Sequence, residues 1–186
     1  MPRMMMDDPA QQLIEKVVKV NRNAKVVKGG RRFSFSALVI VGDGNGRVGL
    51  GFGKANEVSD AIYKALNAGR NSMVSVTRYR TTIPYQLVGK FKGCRVLLKP
   101  ATSGTGIIAG GSVRAVMEAV GIRDVLSKSL GSSNATNLAK ATLGALQSLL
   151  DMRTSYRRRG RPWVDKTAGE PAPPAAVPET NVPEQT

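Results

Sequence analysis

Histidine is absent from this chain, and cysteine occurs once, at Cys94. Without histidine, the commonest general base and the commonest metal ligand are both missing. A Ser–His or Cys–His nucleophile is excluded, and one cysteine leaves nothing from which to build a zinc site. A single cysteine cannot close an internal disulfide either, which fits a reducing compartment. Aromatic residues make up only 5% of the sequence, too few for a platform that stacks single-stranded bases. Phe33, Phe35 and Phe52 are accordingly expected in the core. Acids are scarce too: 13 Asp and Glu stand against 28 Lys and Arg, for a formal charge of +15. No apolar run approaches the roughly 20 residues that cross a bilayer. The opening MPRMMMDDPA lacks the apolar stretch of a signal peptide, so none is expected. Composition therefore points to a polyanion binder, nucleic acid before membrane, with no metal and no cofactor.

What is there centres on Lys28–Lys54, KGGRRFSFSALVIVGDGNGRVGLGFGK. Phe33, Phe35, Ala37, Val39 and Val41 share one strand face. Leu38 and Ile40 make the other face apolar as well, so the strand reads as central. Gly42-Asp43-Gly44-Asn45-Gly46 should turn the chain into a hairpin. In the return strand Val48, Leu50 and Phe52 face one way, while Arg47, Gly49, Gly51 and Gly53 face the other. A glycine face admits close backbone approach, either by a covering helix or by RNA.

Before this hairpin, the mixed pattern of Leu13–Arg22 suggests a short helix or irregular lead-in passing into a strand near Glu15–Asn21 and on through Lys25–Lys28. After it, Asn56 can cap a helix carrying the stripe Val58, Ala61, Ile62, Ala65 and Leu66, with Gly69 ending it. A last strand is expected within Met73–Arg78. Together these make an α+β unit spanning 11–80, behind a flexible 1–10. A second unit, 81–152, opens with strands Tyr85–Lys90 and Cys94–Lys99. Ser112 is expected to cap a helix Val113–Val120 that Gly121 stops. A strand near Ile122–Leu130 and a helix bearing Leu138, Thr142, Ala145, Leu146 and Leu149 complete it. Residues 153–186 turn basic, with Arg153, Arg157, Arg158, Arg159 and Arg161. They then become rich in Pro, Ala and Glu and are expected to be disordered. Trp163 lies in this tail, as a solvent-exposed residue or an RNA contact.

Two glycine motifs invite a nucleotide reading. Gly49-x-Gly51-x-Gly53-Lys54 fails it, because a phosphate loop needs four residues before its Gly-Lys-Ser/Thr, and Ala55 replaces the hydroxyl. Gly104–Gly111 is the stronger rival, since it follows a strand and precedes a helix, where amides bind phosphate. Its Gly-x-Gly-x-x-x-Gly spacing is one residue too long for the dinucleotide fingerprint, although Asp124 stands near the place of a ribose-binding acid. A structural turn, an RNA or protein contact, and a nucleotide loop like that of small-metabolite kinases all remain open for it. The basic residues weigh more. They cluster at Lys25–Arg32, Arg78–Arg80, Lys90–Arg95 and Arg153–Arg161, on loops and element ends. That pattern favours phosphate and shape recognition of structured RNA. Cys94 reads as a half-buried structural thiol.

Several motifs in register identify a family resemblance. Val20-Asn21-Arg22, Lys28-Gly29-Gly30-Arg31, Phe33-Ser34-Phe35 and Gly42–Gly49 through Gly53-Lys54-Ala55 resemble the bacterial small-subunit ribosomal protein S-five family. Pro100-Ala101, Gly104–Gly111, Arg114-Ala115-Val116 and Gly131-Ser132-x-Asn134 extend the likeness, which covers roughly 11–150. The resemblance implies an N-terminal domain similar to double-stranded-RNA-binding domains and a C-terminal βαβα domain of the S-five domain 2-like type. It implies a non-enzymatic, cytoplasmic ribosomal component that binds small-subunit (16S) ribosomal RNA and links head to body. Carried onto this chain, the RNA-binding set is Arg22, Lys25, Lys28, Gly29, Gly30, Arg31, Arg32, Arg47, Lys54, Lys90, Lys92 and Arg95. Ala24, Lys25, Val26, Val27, Lys28 and Gly29 match a loop near the spectinomycin region. Gly104, Thr105, Gly106 and Arg114 match an interface with protein S-four linked to decoding accuracy. Protein S-eight and incoming messenger RNA are further implied partners, and no homo-oligomer is expected. Arg32 departs from the family's aliphatic residue, and Ile83-Pro84-Tyr85-Gln86 lacks a histidine that relatives often carry there.

Overall fold

A computed structural model describes residues 13–160. The first sheet is an antiparallel meander of β1 (Ile14–Val27), β2 (Gly30–Gly42), β3 (Arg47–Ala55) and β4 (Val74–Ser75), in that order. Helix α1 (Val58–Asn71) lies between β3 and β4 in sequence. The strand expected near Glu15–Asn21 and on through Lys25–Lys28 is one element, β1, which already begins at Ile14 where a helical or irregular lead-in was expected, with a register shift between Val17 and Lys19. Pairing along the whole of β2 overrides the weak local pattern.

Strand β2 is buried on both faces, as its sequence predicts. Ala37, Val39 and Val41 pack with Ala61 and Ala65 of α1. Leu38 and Ile40 join a second, larger core with Val113, Met117 and Val120. The glycine face also finds its occupant. Gly49, Gly51 and Gly53 pair with Val41, Val39 and Ala37, directly under α1. A Cβ on any of them would fall inside van der Waals contact of the carbonyl oxygens of Gly69, Ala65 and Ala61, respectively. The close approach is therefore made by the helix backbone. Gly69 belongs to the same contact and does not end the helix: a Cβ there would lie 2.9 Å from Val41 Cγ2. The N-cap is Glu57 rather than Asn56, and Val58 is exposed rather than part of the buried stripe.

The second sheet has the order β5-β6-β8-β7, from β5 (Leu87–Phe91), β6 (Cys94–Pro100), β7 (Ile107–Ile108) and β8 (Val125–Gly131). Strand β7, unforeseen within the glycine-rich stretch, runs parallel to β8. Helices α2 (Gly111–Val120) and α3 (Ala135–Gln147) cover one face over Cys94, Val96 and Leu98. Cys94 is wholly buried, not half-buried. Ser112 lies inside α2, whose N-cap is Gly110. Gly121 stops α2 as expected, at φ 86°. Asn134 caps α3 by accepting a hydrogen bond from Thr136 N at 3.1 Å.

The two sheets meet through backbone. In the β2–β3 turn, Gly44 N donates to Ala119 O at 3.0 Å and Gly46 N to Val120 O at 3.0 Å. Those carbonyls close α2 and have no partner within the helix, so the turn serves as its cap. A Lys16–Glu118 ion pair spans the same seam. Among the described residues, those through Asp151 form one compact unit, and α4 (Met152–Arg158) begins a second. The expectations for 1–10, for Trp163 and for the Pro/Ala/Glu-rich tail lie outside the described residues. No helix among the described residues is long and apolar enough to cross a membrane.

Candidate nucleic-acid interface

Strand β3 ends opposite Phe35, yet β1 and β2 continue pairing through Val27 and Gly30. Beyond Phe35 the sheet is thus a two-stranded ribbon, an arm carrying Arg22, Lys25, Lys28, Arg31 and Arg32 and no acid. Its turn places Gly29 at φ 88° while Lys28 keeps a negative φ, the pattern of a type II turn. A glycine at that second position relieves the strain of a left-handed backbone.

Register assigns the arm two faces. Lys25 stands directly opposite Arg32, and Asn23 opposite Ser34, on one of them. Here Asn23 Nδ2 donates to Ser36 Oγ at 3.3 Å. The other face carries Arg22, Ala24, Val26, Arg31 and Phe33. The Arg22 guanidinium lies 3.6 Å from the Phe33 ring centroid. Phe33 and Phe52, expected in the core, are each 43% exposed. Phe33 leaves the core because the ribbon has no layer above it, and its ring holds an arginine instead. Like charges directly opposite across a ribbon are destabilising. Lys25 beside Arg32 is an arrangement that an anion would relieve.

The other predicted RNA-binding residues fall into separate groups. Lys54 pairs with Ser36 at the base of the arm. Arg47 begins β3 at its opposite end, where the Asp43 carboxylate accepts hydrogen bonds from Asn45 N and Arg47 N. Lys90, Lys92 and Arg95 occupy the β5–β6 hairpin, with Lys90 opposite Arg95. Lys92 takes φ 50° in its turn. The second hairpin thus repeats the cation-over-cation pairing of the first, at smaller scale.

The Gly104–Gly111 stretch is organised around Asp124. One carboxylate oxygen accepts from Gly104 N and Gly106 N, both at 3.0 Å. The Gly106 amide, followed by the Thr81 hydroxyl, holds the Asp124 carboxyl below the usual range, against the opposing effect of burial. Gly104 and Gly106 take φ 92° and 78° to aim those amides inward. A nucleotide loop would point its amides at a phosphate, whereas here the protein's own carboxylate has them. The nucleotide reading of this stretch fails on that point. Gly104, Thr105, Gly106 and Arg114 do come together, because Arg114 Nη2 donates to Ile107 O at 3.0 Å and braces the loop.

Sequence reasoning left out Arg123, which joins Arg78 and Arg80 around a cleft at the seam. No motif carries it; only the fold brings residues so far apart in sequence together.

Two family models match the chain: ribosomal protein S5, N-terminal domain, over residues 13–77, and ribosomal protein S5, C-terminal domain, over 89–159. The chain is 58% identical over 155 residues to the small ribosomal subunit protein uS5 of Treponema denticola, covering 83% of this chain and 90% of that protein. It is 55% identical over 150 residues to that of Syntrophobacter fumaroxidans, covering 81% and 90%. With that of Borreliella burgdorferi it shares 54% identity over 158 residues, covering 84% and 96%.

Proposed function

The chain belongs to the ribosomal protein S5 family, and we propose that its basic arm anchors it on small-subunit ribosomal RNA. It is a structural constituent of the small ribosomal subunit, not an enzyme, and works in the cytoplasm with the ribosome. The observation that carries the RNA reading is the acid-free arm, with Lys25 opposite Arg32 on a ribbon that projects beyond the third strand. A narrow cationic ribbon can follow a groove of structured RNA by phosphate contact and shape, without reading bases. Lys54 at its base extends that surface. Lys90, Lys92 and Arg95 offer a second phosphate contact, and Arg47 a third.

Beyond RNA, the braced loop of Gly104, Thr105, Gly106 and Arg114 is rigid and exposed, which suits a protein surface such as S-four. Its role would be the accuracy-linked contact between the two proteins. The arm tip, Ala24–Gly29, would lie near the spectinomycin region. Contacts with S-eight and with incoming messenger RNA, and a link between head and body, complete the proposed placement.

Full-length protein and its Lys28→Ala and Arg31→Ala variants should be titrated into small-subunit ribosomal RNA over a range of salt, by filter binding. Each variant is expected to bind more weakly, with a log–log salt slope shallower by about one unit. Unchanged slopes in both variants would remove the arm from the interface. Wild-type protein that stayed out of the small-subunit peak on sedimentation would remove the RNA reading altogether.

A further inference from the structure

Where the two sheets meet, a cleft of about 720 Å³ opens between the β2–β3 turn, the C-terminus of α2 and the link that joins the sheets. Its lining holds Arg78, Arg80 and Arg123 together with Ile14, Ile107 and Ile122. The one acid in the lining, Glu118, is already paired with Lys16. The cleft therefore combines a cationic rim with apolar walls.

Its arginines are built in rather than scattered. Arg78 Nη1 donates to Gly44 O at 3.1 Å, which fixes its guanidinium at the seam. Arg80 sits at φ 55° in a tight turn closed by Tyr79 N to Thr82 O at 2.9 Å and Thr82 N to Tyr79 O at 3.0 Å. A non-glycine residue in that region is strained and persists only where its surroundings over-determine it. The surroundings here are Arg123 N and Asp124 N, which donate to Thr81 O at 2.8 and 3.0 Å. The same two bonds tie the Arg80 turn to the residue that carries the third guanidinium.

We propose that this cleft is a nucleotide site: it takes one unstacked nucleotide of the bound RNA, with the phosphate on Arg78, Arg80 and Arg123 and the base against the isoleucine walls. An extruded nucleotide needs an apolar face for its ring and a cationic edge for its phosphate, and guanidinium planes also accept bases by stacking. As an RNA subsite the proposal rests on the ribosomal-RNA reading above. A free mononucleotide has the same chemistry and is the other source.

Arg123→Gln is the variant of choice, because Arg123 is exposed and its side chain makes no hydrogen bond to the described residues. Full-length wild-type and variant protein should be footprinted on small-subunit ribosomal RNA, with thermal melts confirming equal folding. Loss of a charged contact to phosphate should weaken binding roughly tenfold. Protection should be lost at one unpaired site, while the protections that Lys28→Ala removes stay in place. In parallel, adenosine monophosphate should be titrated into labelled protein and followed by NMR. Shifts confined to Ile107, Ile122 and Arg123, abolished in Arg123→Gln, would support the cleft with a free nucleotide as its source. Identical footprints for the two proteins together with no mononucleotide shifts would overturn the proposal. Wild-type protein that bound no RNA would instead sink the ribosomal-RNA reading, leaving the mononucleotide arm to judge the cleft alone.

Discussion

On β3 glycine clears space; in the Gly104–Gly111 loop it bends the chain. Gly49, Gly51 and Gly53 keep ordinary extended backbones and are needed for what they lack, since α1 rests its carbonyls where their Cβ atoms would be. Gly104 and Gly106 have nothing within 4 Å of a built Cβ, yet take positive φ so that their amides reach Asp124. One set holds a helix on a sheet, and the other shapes an exposed loop around a charge. A glycine pattern therefore says little until its backbone angles and neighbours are known.

Gly51→Val fills the space on which α1 rests. Its Cβ would collide with Ala65 O and lie 2.7 Å from Gly69 N, both backbone atoms of α1 that cannot step aside alone. Overpacking of that kind should destabilise the protein by on the order of 3 kcal/mol. Gly93→Ala, where a built Cβ meets nothing within 4 Å at an unstrained φ, should change stability by no more than about 0.5 kcal/mol. Urea denaturation of both variants checks the contrast. Equal midpoints would mean that α1 does not rest on the glycine face.

A smaller effect should come from Asp124→Asn, which keeps the shape but removes the charge at the centre of the second loop. The Asp124 carboxyl is held below its ordinary value in the folded protein, first by the Gly106 amide and then by the Thr81 hydroxyl. A group of that sign contributes stability above its unfolded value, about 3.9. That contribution is lost as pH falls through the lower folded value. Wild-type protein should lose stability over that acidic window, and the variant should lose less of it. Denaturation midpoints between neutral and strongly acidic pH measure this. Parallel pH profiles would show that Asp124 is not what organises the loop.

The sequence-level reading succeeded where period and contact coincide. Alternation made β2 central, and the helical stripe of Leu138, Thr142, Ala145 and Leu146 is buried as its spacing predicts, while Leu149 is buried just past the end of α3. It failed where the deciding partner lies far along the chain. The uneven pattern of Leu13–Arg22 shows the strand but leaves a helical or irregular lead-in open, because what fixes its start is pairing with β2. Asp124 looks like a ribose acid until the fold turns two amides toward it. Phe33 looks like core because nothing local says that β3 stops at Ala55. In the candidate site, the turn residues Lys28-Gly29-Gly30 were legible. The Lys25–Arg32 pairing, the Arg22–Phe33 stack and the position of Arg123 were not, since register and topology create them.

The smallest effect tests the arm itself, where the two hairpins agree instead of differing. Lys25 faces Arg32 as Lys90 faces Arg95, and in each case a like-charge pair sits directly across two antiparallel strands. If these pairs are kept for an anion, replacing one cation with an acid should have opposite consequences in two assays. Arg32→Glu should stabilise the free protein, because an opposite-charge cross-strand pair is worth about 0.2–1 kcal/mol. The same change should weaken RNA binding and flatten its salt dependence, since a phosphate contact is replaced by repulsion. Thermal melting at low salt reads the first effect and filter binding the second. High salt should shrink the stability gain, because screening weakens exposed charges on both proteins. A variant that is both less stable and equally tight on RNA would mean that Lys25 and Arg32 serve the ribbon's own structure. The opposite pair of signs would identify the arm as a surface kept under electrostatic stress for its partner.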